Sequence, residues 1–63
     1  MADKSDDQLW VEKNEPRAFF RHYTIEGREY YCIDLPYGSS TAMFFSPEQA
    51  WTAARRMVED ECV

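Results

Sequence analysis

Glycine and proline are scarce in this 63-residue chain, with two and three copies, and both glycines fall where the backbone has to turn. Cysteine is scarce too. Cys32 and Cys62 alone are too few for the cross-linked framework of a small secreted scaffold, so they read as reduced thiols in a reducing compartment. A single bridge tying the C-terminus to the sheet is the alternative. One histidine, with no CxxC and no HxxxH, leaves structural zinc without its ligand spacing, and no metal or other cofactor is expected. No run approaches the roughly 20 apolar residues of a membrane span. No basic-then-apolar leader opens the chain, which reads as soluble and cytoplasmic.

What is present is acid and aromatic rings. The net charge is −5, and four Phe, four Tyr and two Trp supply large area per residue. A chain this short buries only about 60 % of the surface that its unfolded form exposes, so its core is one small layer. The deep, dry cleft of most enzymes is hard to build at this size. The acid sits at the ends: Met1 to Glu15 carries a net −3, and Glu59, Asp60 and Glu61 add another −3, while the body between is +1. Acidic ends keep a small protein in solution, or attract a basic partner surface.

The boundary between sheet and helix is sharply marked. Ser46 is a strong N-cap, Pro47 suits the first helical position, and Gln49 stands where a capping box needs it. Residues 1–8 read as a disordered acidic tail, and 9–63 as one small α+β domain. Leu9-Trp10-Val11 is either a short fourth edge strand or a lid over the sheet. Strands are expected over Arg17–Ile25, Tyr30–Leu35 and Thr41–Phe45, with turns at Gly27 and at Pro36-Tyr37-Gly38. One helix follows from Pro47 to Asp60, with Ala50, Trp51, Ala54, Met57 and Val58 as its apolar stripe. The expected fold is a three-stranded antiparallel sheet with one C-terminal helix packed on one face.

A hairpin closing on Gly27-Arg28 pairs Ile25 with Tyr30, Tyr23 with Cys32 and Arg21 with Asp34 on one face. Phe20, His22, Thr24, Tyr31, Ile33 and Leu35 then share the other, which faces the helix. The first face would show Phe19, Tyr23, Ile25, Tyr30 and Cys32, with Met43 or Phe45 beside them. That is much apolar surface for a monomer, to be covered by Leu9-Trp10-Val11, a second copy or a partner protein.

Catalytic residues are not expected. Ser39, Ser40, His22 and Asp34 are the right types for nucleophilic chemistry, but nothing in their spacing marks a nucleophile elbow or an oxyanion hole. Gly38-Ser39-Ser40-Thr41 lacks the second Gly, the Lys and the following helix of a phosphate-binding loop.

Glu26-Gly27-Arg28-Glu29-Tyr30-Tyr31 and the later Phe45-Ser46-Pro47-Glu48-Gln49-Ala50 resemble the AP2-like, arm-type DNA-binding domains of phage integrases, over about Arg21 to Arg56. That resemblance implies a sheet laid into a DNA groove by basic strand residues. Here the matching strands carry Cys32, Asp34, Thr41 and Met43 instead. Ile33-Asp34-Leu35-Pro36 with Ser46-Pro47-Glu48-Gln49-Ala50 is also similar to the small sheet-and-helix domain of HicB-type antitoxins.

These readings lead to a non-enzymatic binding protein, an inhibitor or adaptor of the kind that phage and mobile elements encode. In size and charge it looks like anti-CRISPR proteins. Trp10, Phe19, Arg21, Tyr23, Tyr30, Asp34, Tyr37, Glu59, Asp60 and Glu61 are the expected contact residues. The expected partner is a host protein, with a basic nucleic-acid-binding surface as its acidic ends would suit. A homodimer is a further possibility, and direct DNA binding through Arg17, Arg21 and Arg28 is the weaker alternative.

Overall fold

The computed structural model describes residues 4–61. Along the chain lie α1 (Asp6–Asn14), β1 (Phe19–Ile25), β2 (Arg28–Asp34) and α2 (Pro47–Glu61). The class is α+β, but the expected architecture is corrected. A two-stranded antiparallel sheet and two helices replace three strands and one helix.

The second helix starts as its sequence dictates. Ser46 Oγ accepts from the Gln49 N–H at 3.3 Å, satisfying a donor that the first turn leaves free. Ala50, Trp51, Ala54 and Val58 are buried along one stripe, with Met57 partly buried beside them.

The first helix occupies ground that reads as a disordered tail followed by an edge strand or lid. Ser5 caps it, with Oγ accepting from the Gln8 N–H at 3.2 Å, and Asp6 and Asp7 place acid in the first turn. Ser5-Asp6-Asp7-Gln8 therefore follows the same S-x-x-Q pattern as Ser46-Pro47-Glu48-Gln49. The helix is capped at Glu15, which has left the helical region (φ −142°, ψ 78°), as Pro16 after it favours. Nine residues form a marginal helix in water, so packing against α2 has to supply the stability.

The hairpin closes on Glu26-Gly27, both at positive φ (51° and 79°), and not on Gly27-Arg28. Two left-handed residues match the twist of the strands. The true register pairs Tyr23 with Tyr30, Arg21 with Cys32 and Phe19 with Asp34. It differs from the expected one by two positions, an even number, so every side chain keeps its face.

The expected third strand is broken by one extra residue. Tyr31 bridges Phe44 and Asp34 bridges Ser40, three steps on β2 against four on the facing segment. Inside this bulge Thr41 turns its hydroxyl on the sheet. Ile33 N–H donates to Thr41 Oγ1 at 3.0 Å, and Thr41 N–H returns a bond to Ile33 O at 3.0 Å. A side chain takes the place of a ladder carbonyl, and regular pairing stops there.

Val11, Ile33, Leu35, Ala50, Trp51, Ala54 and Val58 form the core. The longer helix lies over β2, and α1 packs beside that helix; neither has a backbone neighbour in β1. Residues 1–3, 62 and 63 fall outside the description, and with Cys62 the question of a bridge to Cys32. Among the described residues no helix is long and apolar enough to cross a membrane.

Candidate partner-binding surface

Alternation along the hairpin puts Phe19, Arg21, Tyr23 and Ile25 on the face away from α2, with Arg28, Tyr30, Cys32 and Asp34 opposite them. Phe44 pairs with Tyr31 and packs on the core, which sends its neighbours Met43 and Phe45 to the open side. Phe19 is 58 % exposed, Ile25 45 %, Met43 50 % and Phe45 68 %. The rings of Phe45 and Tyr30 meet at 5.5 Å, tilted by 42°. Among these apolar side chains lies one ion pair, in which Arg21 Nε donates to Asp34 Oδ2. The Arg21 guanidinium also lies 5.2 Å from the centre of the Phe19 ring. The face is an apolar field around a neutralised charge, the composition of many interface centres.

Five of the expected contact residues come together here: Phe19, Arg21, Tyr23, Tyr30 and Asp34. The others lie elsewhere. Trp10 belongs to α1, packs against the core and holds the Arg55 guanidinium 5.0 Å above its ring. Leu9-Trp10-Val11 is therefore neither a strand nor a lid over the open face, because the helical register carries Val11 into the core against α2. Tyr37 stands half-exposed in the turn closed by Gly38 (φ 83°). Glu59 and Asp60 are exposed near the end of α2, where Glu59 Oε2 accepts from Arg55 Nε at 3.1 Å, and Glu61 is the last helical residue. Ile25, Met43 and Phe45 complete the face. Their signal was the parity of the strands, which counts them with Tyr23 and Tyr30.

The catalytic types are not assembled. His22 lies on the helix side, its Nε2 2.8 Å from Glu29 Oε1 and its ring stacked on Tyr31 at 4.8 Å. The Tyr31 hydroxyl donates to the same Glu29 oxygen at 3.1 Å, and that bond pushes the phenol up. Asp34 is on the opposite face, paired with Arg21. Burial, reinforced by Asp34, raises the Cys32 thiol, the reverse of what a nucleophile needs. Among the described residues no three His, Cys, Asp or Glu side chains converge as metal ligands.

A concavity of about 560 Å³ opens between α1, the start of β1 and the start of α2. Phe20 and Trp51 stack 5.9 Å apart on its floor. Lys4 and Glu12, paired at 2.9 Å, form its rim. The charge of the molecule is divided between faces. α1 carries Asp6, Asp7 and Glu12 against Lys13, and α2 carries Glu48, Glu59, Asp60 and Glu61 against Arg55 and Arg56, so both helices are net acidic, whereas the open face holds Arg21, Arg28 and Asp34. The arginines offered for DNA are partly spent, Arg21 on Asp34 and Arg17 on Glu15 at 3.4 Å. Compared with known proteins, the chain matches no family model, no curated protein and no solved structure.

Proposed function

We propose that this chain is a non-enzymatic protein-binding module, an inhibitor or adaptor of the small phage or mobile-element kind, that holds its partner against the open sheet face. One observation carries the reading: Phe19, Ile25, Met43 and Phe45 stand exposed on one side of a two-stranded sheet, around the Arg21–Asp34 pair. Scattered apolar residues need no explanation, but a contiguous group rimmed by polar residues marks a contact site. Phe45 and Met43 are the anchors, and the charge pair fixes orientation. The acid of the two helices lies on the other layer. It steers a basic partner during encounter and does not form the contact itself.

The test is affinity capture with two baits, wild type and a Met43→Ser/Phe45→Ser variant, both checked for folding by circular dichroism. A stoichiometric protein held by the wild type and released by the variant supports the reading. Equal retention by both baits, or no protein partner at all, overturns it. Retention on duplex DNA at low salt, lost steeply as salt rises, would favour the DNA-binding alternative.

A further inference from the structure

The outer edge of β1 is bare, and its backbone is aimed at a second strand. A two-residue turn makes the flanking residues, Ile25 and Arg28, a hydrogen-bonded pair. Alternation then directs the odd-numbered residues of β1 towards β2, and Phe20, His22 and Thr24 outwards. The same alternation sends Tyr31 and Ile33 of β2 outwards on the far side. There they are met, Tyr31 by Phe44 at 2.8 Å in both directions and Ile33 by Thr41. Nothing described meets the outward groups of β1, since neither helix has a backbone neighbour in that strand.

Natural edge strands are blunted by proline, lysine, bulges or inward charge. The strand Phe19–Ile25 has no proline, no lysine and no bulge, and its one arginine is neutralised by Asp34. It also carries no acidic residue, in a chain of net charge −5. This is the segment where two copies can meet without acid facing acid.

We propose that a second copy of this chain pairs with the free edge of β1, antiparallel and centred on His22, to form a symmetric dimer with one continuous sheet. In this register His22 faces His22 of the second copy, and Phe20 faces Thr24 of the second copy. Every outward N–H and C=O of these three residues is then paired. Registers centred on Arg21 or Tyr23 leave some of them bare, and the first sets arginine against arginine. On the open face Phe19 falls opposite Ile25 of the second copy at both ends, covering two of the exposed apolar side chains. Arg21 falls opposite Tyr23, a ring for a cation. The interface is isologous, as a two-fold requires. It uses the edge and leaves Met43 and Phe45 free, so it goes beyond the open-face reading. Only one seven-residue strand from each copy takes part, so association is weak, with an expected dissociation constant on the order of 100 µM.

Sedimentation equilibrium from about 10 µM to about 1 mM tests it. The mass should rise from 7.5 kDa towards twice that value. Phe19→Lys and Ile25→Glu should each weaken association about tenfold, and the double variant should restore it, because lysine then faces glutamate at both ends. Thr24→Pro, which removes an outward N–H, should abolish the dimer with the hairpin intact by circular dichroism. If that variant does not fold, the charge-swap set decides. A mass of 7.5 kDa at every concentration overturns the proposal, and so does a double variant no tighter than either single one. A dimer lost on Met43→Ser/Phe45→Ser but kept by Thr24→Pro means stacked open faces, which also overturns it. A monomeric wild type that still captures a partner leaves the open-face reading standing.

Discussion

Asp7 of α1 and Arg55 of α2 stand 48 positions apart in sequence and bond side chain to side chain, Arg55 Nη1 donating to Asp7 Oδ1 at 3.0 Å. Thr52 Oγ1 donates to the other carboxylate oxygen at 2.6 Å, so one acid spans two successive turns of α2. The pair is about one-third exposed. Asp7→Ala is expected to cost about 1 kcal/mol. That lowers the thermal midpoint of a domain this small by roughly 4–8 °C. Thr52→Ala should cost less, and thermal unfolding followed by circular dichroism checks both.

The same contact makes stability depend on acid. The Thr52 hydroxyl above all, opposed by burial and helped by Arg55 and Arg56, holds the Asp7 carboxyl below its ordinary value of 3.8. A group depressed on folding adds stability that is complete above its unfolded pKa and is lost as pH falls through the lower folded one. Glu12, held down by Lys4 and Gln8, acts with the same sign. The thermal midpoint should therefore hold from neutral pH to about 5 and fall below it. Asp7→Asn should flatten that fall. An unchanged slope would dissociate Asp7 from acid unfolding.

Glu26 is the one residue other than glycine at positive φ among those described. A side chain there carries a penalty that asparagine largely escapes in a turn of this type. Glu26→Asn should stabilise the hairpin by about 0.5–1 kcal/mol, seen as a higher denaturant midpoint with an unchanged m-value.

Thr41 is 7 % exposed, and its hydroxyl is the acceptor for the Ile33 N–H. Thr41→Val keeps the shape and strands that donor in the core, at a cost of about 1–3 kcal/mol. Thr41→Ser should recover most of the loss. Amide exchange at Ile33 reads the effect directly and should accelerate in the valine variant alone.

How much of this was legible depends on which local signals competed. Ser46-Pro47-Glu48-Gln49 had no rival, and the start of α2 and its buried stripe follow from it. The two faces of the hairpin were also legible, because a slip of two positions leaves parity untouched. Ser5-Asp6-Asp7-Gln8 carried the same capping signal, but acidic residues without apolar periodicity outweighed it. The short helix has one buried side chain, Val11, too few to trace a stripe. The third strand failed for a different reason. Thr41 reads as a good strand residue, and only the folded sheet shows its hydroxyl competing with the backbone for Ile33. The open face followed from strand parity. The Asp7–Thr52–Arg55 contact, which joins distant segments, left no local trace.

Val11 has a consequence for how the molecule comes apart. Val11 in the core, Trp10 packed against it and a few polar ties are all that hold α1 to α2, so an opening that frees α1 leaves the contact of α2 with β2 in place. Such an opening would uncover the stacked rings of Phe20 and Trp51 and lengthen the exposed connection through Pro16. A protease meeting the native protein should cut first in that connection, between Asn14 and Ala18, and release a trimmed but still folded remainder.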